Sequence, residues 1–380
     1  MSTKGARPRV APAAGCGRRL RRILAPLIAV AAATPGADRD RKHFPADAHL
    51  WLLLLHVLRG GASLRQTHAM LAATSDGWAR LGLPRGISRS QLARSSTSRP
   101  SACFEQLLTA VVARARQAAS ADRRWRALSR IQAVDSSFLT LRAKLCPWSH
   151  YGGHAPGVRL QCGLDVAGAI PTVLRQTLAD VHDTTALAAR DLGELAGWTL
   201  LIDLGYYAHR LFADLRAAGV HVVCRLHAQA FYQVTTRWPI PATPTPDGDV
   251  ILRDETITLG SPNNRRGAVL PEMRLVTSRN PAGAVPRCVT DRHDLTAAAV
   301  VTLYRKRWQS ELFFRWLKHQ LNALHPFGAS QEAVWLTVVM AAIATLGALL
   351  GEAARPRGQT RIEWLRGLGV ARCPPAPDTG

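Results

Sequence analysis

The 380-residue sequence predicts an α/β protein: a mixed sheet flanked by helices, preceded by an all-α region and interrupted by a β-rich insertion. Three observations carry this. Residues 46–120 repeat apolar side chains at helical spacing. From 128 to 227, short apolar runs alternate with helix-patterned stretches in the order β-β-β-α-β-α-β. Residues 228–290 then combine short strands ("VILRD", "TITLG") with turn signals ("PIPATPTPDGD", "SPNNRRG"). Three strands in a meander followed by two helix–strand units make a mixed sheet with helices on its faces.

Taken in order, residues 1–45 are rich in Arg, Ala and Pro and are expected to be partly disordered. Residues 46–125 form the helical domain. "DAHLWLLLLHVLRGG" ends on a glycine pair, a helix stop, and "SLRQTHAMLAA" starts at Ser63, a natural N-cap. "ISRSQLARSS" (87–96) is a basic, Ser-started segment. Two helices and a basic turn fit either a helix-turn-helix or a plain helical domain, and the charge favours DNA binding. Residues 126–227 hold the first part of the sheet. "SRIQAVDSSFLTL", "GVRLQCGLDV" and "IPTVLRQTL" are strands; "HDTTALAARDLGELAG" is a helix stopped by Gly197; "WTLLID" is a buried strand; "YYAHRLFADLRAAG" is a helix ended by Gly219; "VHVVCRLH" is the fifth strand. After the insertion (228–290), residues 291–352 return to helix, and 353–380 form a tail. "VWLTVVMAAIATLGALLG" (334–351) is eighteen uncharged residues, the lower limit for a membrane span. Its Ala and Gly content points instead to a buried helix, with no membrane partner.

Composition narrows the partners. Lys plus Arg number 49 against 26 acids, a net charge of +23. Residues 1–125 alone hold 21 basic and 6 acidic side chains. Such an excess fits a polyanion, because phosphates reward fixed cationic charge. The seven cysteines are scattered without a C-x-x-C pair, which fits reduced cytoplasmic thiols rather than a disulfide frame or zinc site. "RRLRRILAPLIAVAAATPGA" (18–37) looks like a secretory signal, but its basic start lies seventeen residues in and no disulfide pattern follows.

Three acids stand out. Asp135 interrupts the first strand, where Asp is disfavoured; an edge position facing water would also explain it. Asp203 ends "WTLLID", the position where open α/β sheets place their sites, though a helix N-cap reads the same way. Glu311 lies in "YRKRWQSELFFRWLKHQ" (304–320). At about 100° per residue, Tyr304, Arg307, Glu311 and Lys318 share one helical stripe. A solvated ion-pair ladder gives the same spacing. Trp308, Leu312 and Trp316 recur every four residues and are expected to face the core. Three carboxylates converging from distant segments repel unless divalent cations neutralise them, and such a set suits phosphoryl transfer.

The element order with Asp, Asp and Glu resembles the RNase H-like fold of DDE transposases. The stretch 304–320 matches the Tyr-x2-Arg-x3-Glu-x6-Lys signature of the insertion-sequence-4 transposase family at every spacing. "DLGY" (203–206) is similar to that family's D-R-G-Y element with Leu204 in place of Arg; "VDSSF" loosely matches its first-Asp region, "VHD" (181–183) its short His/Asn-Asp element, and "SRSQLA" a segment that often precedes its core. The resemblance covers about 50–350 and is closest over 130–325. It implies that Asp135, Asp203 and Glu311 bind two Mg²⁺ ions, with Mn²⁺ as substitute. It also implies that Tyr304, Arg307 and Lys318 contact DNA phosphates, and that an aromatic in the insertion receives a flipped base. Trp238, the one tryptophan of 228–290, is the candidate, although a plain core or surface aromatic is the commoner reading of such a residue.

The expected function is a bacterial, nucleoid-associated DNA transposase. It would cleave the ends of its insertion sequence at the terminal inverted repeats and join the 3′-hydroxyls to target DNA, acting as a homodimer in the synaptic complex. A transposase-derived DNA-binding protein without catalysis is the alternative. A recombinase using Tyr304 as nucleophile, and a membrane protein built on 334–351, are further rivals.

Overall fold

In the computed structural model, which describes residues 16–39, 43–58, 63–120, 130–144, 146–150, 155–261, 263, 268–320 and 326–351, the chain divides into two units. One is residues 119–315; the other is residues 1–118 with 316–380.

The first unit is built on one nine-stranded sheet. Its strands are β1 (Ile131–Thr140), β2 (Gly157–Asp165), β3 (Ile170–Leu178), β4 (Thr199–Ile202), β5 (His221–Arg225), β6 (Tyr232–Arg237), β7 (Val250–Leu259), β8 (Leu270–Arg279) and β9 (Arg287–Thr290). Their spatial order is β3-β2-β1-β4-β5-β9-β8-β7-β6. β1, β4 and β5 are mutually parallel, and the other pairings are antiparallel. The β-rich stretch expected as an insertion extends the sheet, because β9 pairs with β5 through Val223↔Thr290 and Cys224↔Val289.

Helix α7 (His209–Ala217) covers one face. Leu211, Phe212 and Leu215 pack there on Val134, Leu200, Ile202, Val222 and Cys224. By strand alternation Ala133 and Leu201 point to the other face. Helix α8 (Ala297–Lys306) packs against β4, β5, β7, β8 and β9. The expected long helix after "VHD" is cut short. α6 runs only Asp183–Ala188, and beyond it the Asp191 carboxylate accepts a hydrogen bond from the Gly193 N–H at 2.9 Å and closes a local turn.

The second unit is helical: α1 (Cys16–Ala32), α2 (Ala46–Leu58), α3 (Leu64–Ala73), α4 (Arg89–Ser98), α5 (Ser101–Ser120) and α10 (Gln331–Gly351). Residues 16–32, expected to lie in a partly disordered segment, are helical because Leu20, Leu24, Ile28 and Ala31 bury one stripe. Residues 1–15 and the tail lie outside the described residues. Ser63 caps α3 as expected, in a reciprocal box with Gln66. α10 is long and apolar enough to cross a membrane, yet 82% of its most apolar stretch is buried, against α1, α2 and α4. A Cβ on Gly347 would lie 2.9 Å from a Leu20 methyl, so α1 packs closely on α10 there.

Arg99 ties this unit together. Its buried guanidinium donates to the carbonyls of Ala37 (2.6 Å) and Phe44 (2.8 Å) and to His49 Nδ1 (3.1 Å). His49 Nε2 meets Ser96 Oγ at 3.1 Å. Arg99→Ala strands these acceptors, and the expected loss is about 3 kcal/mol. A urea midpoint unchanged from the wild type would contradict this.

Candidate catalytic site

The sheet itself brings two of the acids together. β1 and β4 run parallel in register Ala133↔Leu201. Asp135 and Asp203 each lie two residues further on, at one level and on one face, at the carboxyl ends of neighbouring parallel strands. Asp203 also caps the turn that follows, accepting from the Gly205 N–H at 2.8 Å. Asp203 therefore caps the short turn Leu204–Tyr206, while the helix over "YYAHRLF" starts later, at His209 with Ala208 as its N-cap.

Glu311 arrives from α9 (Trp308–Gln320). The single helix expected over 304–320 is two: Arg307 forms a turn between α8 and α9, its N–H reaching back to the Tyr304 carbonyl at 3.1 Å. That turn aims the guanidinium inward. Arg307 Nη2 lies 2.5 Å from Glu311 Oε1, and Nη1 lies 3.8 Å from Asp135 Oδ2. Arg307 thus stands between the first and third acids. Burial works against its charge, but Glu311, Tyr304 and Asp135 outweigh this and raise its pKa. Its Nε is buried with no hydrogen-bond acceptor among the described residues.

Asp135 is buried. Burial pushes its carboxyl above the usual range; hydrogen bonds from Ser310 and the Ser136 N–H, and the Arg307 charge, oppose the rise, while the Asp203 charge adds to it. Ser310 Oγ lies 2.8 Å from Asp135 Oδ2 and 2.8 Å from the Arg307 carbonyl. The ionised carboxylate is the stronger acceptor of its single proton. Ser310→Ala leaves the buried acid short of a donor. The expected cost is about 1–3 kcal/mol in urea unfolding; a neutral effect would show that the contact is not made in solution.

A fourth carboxylate reaches the same edge. Asp183 Oδ1 accepts from Arg159 Nη1 (3.3 Å) and Gln161 Nε2 (3.4 Å). A Cβ on Gly205 would lie 3.1 Å from Asp203 Oδ1 and 3.3 Å from Asp183 Oδ2, so only glycine fits comfortably between the two acids. Among the described residues no three His, Cys, Asp or Glu side chains form a ready-made metal-ligand group, since Arg307 separates Asp135 from Glu311. The donor chemistry still suits a hard cation, because all donors are carboxylate oxygens. The Asp135–Asp203 repulsion is what such a cation would relieve.

Tyr304 stacks its ring under Arg307, 5.8 Å from centroid to Cζ. Burial raises its phenol pKa, so the hydroxyl remains a hydrogen-bond donor. Tyr304 and Arg307 line a cavity of about 370 Å³ with Arg225, Arg305 and Trp308.

The remaining sequence candidates are placed differently. Lys318 is half-buried, two turns beyond Glu311 on α9, in the other unit. Trp238 is 48% exposed and donates Nε1–H to Thr256 Oγ1 at 2.8 Å. It follows β6, five strands from β4, so the sheet does not bring it to the acids. The packing stripe of α9 is also corrected: Phe313, Phe314 and Leu317 are buried, whereas Trp308 and Leu312 are 48% and 46% exposed; the Trp316 side chain lies outside the described set. Ser310, Arg225 and Arg305 carried no sequence signal. Asp183 had one, the "VHD" element.

Residues 126–346 match the family described as "Transposase DDE domain". "Putative transposase y4zB" of Sinorhizobium fredii is 29% identical over 266 residues, 70% of this chain and 71% of that protein. "Probable transposase for insertion sequence element IS5377" of Geobacillus stearothermophilus is 26% identical over 268 residues, 69% of this chain and 67% of that protein. Among solved structures, the piggyBac transposase synaptic complex with hairpin DNA covers 95% of this chain and 80% of its own at 10% identity. At a TM-score of 0.47 that likeness is too loose to carry an argument.

Proposed function

Because the chain belongs to the transposase DDE domain family, we propose that it cleaves the ends of its own insertion sequence and joins the freed 3′-hydroxyls to target DNA. The observation that carries this reading is the shared level of Asp135 and Asp203 on neighbouring parallel strands, with Glu311 tethered to Asp135 through Arg307. The sheet order β3-β2-β1-β4-β5, antiparallel only at β2, supports an RNase H-like core. The unbroken Tyr304, Arg307, Glu311 and Lys318 spacing supports placement in the insertion-sequence-4 group.

Asp135, Asp203 and Glu311 would hold the two Mg²⁺ ions. When bound, those ions supply activation of the attacking oxygen and neutralisation of the leaving oxygen. The chain's own residues do the rest. Arg307 presents its unpartnered Nε and a forked guanidinium to a DNA phosphate. Tyr304, held protonated, donates to another phosphate oxygen. Ser310 and the Ser136 N–H fix the Asp135 carboxylate. Both steps are in-line displacements at phosphorus, so one set of residues serves cleavage and joining. Lys318 is assigned a further phosphate contact, and Trp238 a base contact away from the acids. A homodimer bridging two element ends, acting at the bacterial nucleoid, completes the reading.

The test is cleavage of a labelled duplex carrying the element's ends, comparing the protein with Asp203→Asn. Absence of cleavage by the wild-type chain, with DNA binding intact, would favour the non-catalytic DNA-binding alternative.

A further inference from the structure

On the face of the sheet opposite Asp135, between β3 and α6, lies a second cavity of about 160 Å³. Its polar lining is Gln161, Arg175, Thr177, Thr185, Arg190 and Tyr206, and no carboxylate lines it. Two guanidinium groups therefore share one small space. Among the described residues neither has an acid within ion-pairing distance. Arg190 Nη1 donates to Gln132 Oε1 at 2.9 Å, and Arg175 makes no side-chain hydrogen bond among those residues. Burial, and then the neighbouring Arg175 charge, push the Arg190 pKa down. Arg190 is drawn out of water beside the like charge of the exposed Arg175, and Glu194 offsets this only in part, a standing cost that one anion would remove.

We propose that this cavity is a binding site for a phosphate-type oxyanion, held between Arg175 and Arg190. The volume is that of about five waters, right for one tetrahedral oxyanion. The donors converge from two sides, Arg175 and Thr177 from edge strand β3, Thr185 and Arg190 from α6 and the turn beyond it. Paired arginine forks are the strongest side-chain donors for such oxygens. The site also communicates with the acids. Tyr206, in its wall, lies three residues after Asp203 and donates to Gln161 Oε1 at 3.2 Å; Gln161 Nε2 donates to Asp183 at 3.4 Å. An anion here braces the turn that carries Asp203. The phosphate is either free or part of a DNA backbone, and the inference stands whether or not the chain cuts DNA.

The experiment titrates the full chain with inorganic phosphate at constant ionic strength, chloride making up the balance, and reads heat and thermal unfolding. Saturable phosphate binding is expected, with affinity falling about tenfold to hundredfold in Arg175→Gln and in Arg190→Gln. Arg175 is exposed on edge strand β3, so Arg175→Gln keeps the test decisive if Arg190→Gln fails to fold. A second arm measures the salt dependence of binding to a short duplex. A slope lowered by about one in Arg175→Gln identifies a backbone phosphate as the occupant; an unchanged slope, with saturable phosphate binding in the wild type that weakens in Arg175→Gln, identifies the free anion. No saturable phosphate binding together with an unchanged slope overturns the site. So does equal phosphate affinity in the wild type and Arg175→Gln when the slope is also unchanged.

Discussion

Asp203→Asn is expected to lower strand cleavage about 10³-fold or more while leaving the fold and duplex binding in place. The substitution is close to isosteric, and its side-chain oxygen can still accept from the Gly205 N–H that Asp203 now caps. The urea midpoint should therefore hold. What disappears is one negative charge at the level of Asp135. Asp135 then loses the repulsion that helps raise its pKa, so the remaining acid ionises more readily but faces any cation without its partner. Duplex affinity should stay level or tighten slightly, because the DNA backbone meets one acid fewer. The measurement is single-turnover cleavage of a labelled duplex beside equilibrium binding to the same duplex. Cleavage within tenfold of the wild type would remove Asp203 from the chemistry. It would revive a metal-independent recombinase with Tyr304 as its nucleophile.

Much of this site was legible in the sequence because its signals are local. Asp135 broke a strand pattern, Asp203 ended one, and the Tyr304–Lys318 spacing identified the stretch that supplies Glu311. What escaped was set by long-range pairing or by a single backbone turn. The β-rich stretch was legible as strands, but nothing near 223 or 289 announces that β9 pairs with β5 and so continues the same sheet. The turn at Arg307 rotates α9 against α8, and this is why Trp308 and Leu312 face outward while Phe313 and Phe314 fill the core. Helix α1 was legible in its Leu20, Leu24 and Ile28 spacing but was masked by its Arg-, Ala- and Pro-rich surroundings. Ser310 carries no pattern, since a serine beside a glutamate becomes meaningful only when Asp135 is seen 2.8 Å away.

Arg307→Ala is expected to separate DNA handling from cation handling. In the free protein Arg307 neutralises Glu311 at 2.5 Å and Asp135 at 3.8 Å, and its ring stacking on Tyr304 holds it in place. Its Nε, buried and without an acceptor, is a donor prepared for an oxygen that only substrate can bring. Removal should lower cleavage about 10²- to 10³-fold, the scale of a lost charge-stabilising donor. Arg307→Lys should recover little, because an ammonium cannot span two carboxylates and a phosphate as a planar fork does. Binding of Mn²⁺ by the DNA-free chain, read by water-proton relaxation, should move the other way and tighten. Glu311 and Asp135 lose their internal counter-charge, and their mutual repulsion becomes affinity for a cation. A purely structural arginine would give neither signature: its loss would depress stability, cleavage and Mn²⁺ binding together. Weaker Mn²⁺ binding in Arg307→Ala would therefore show that the guanidinium organises the acids rather than competing with a metal for them.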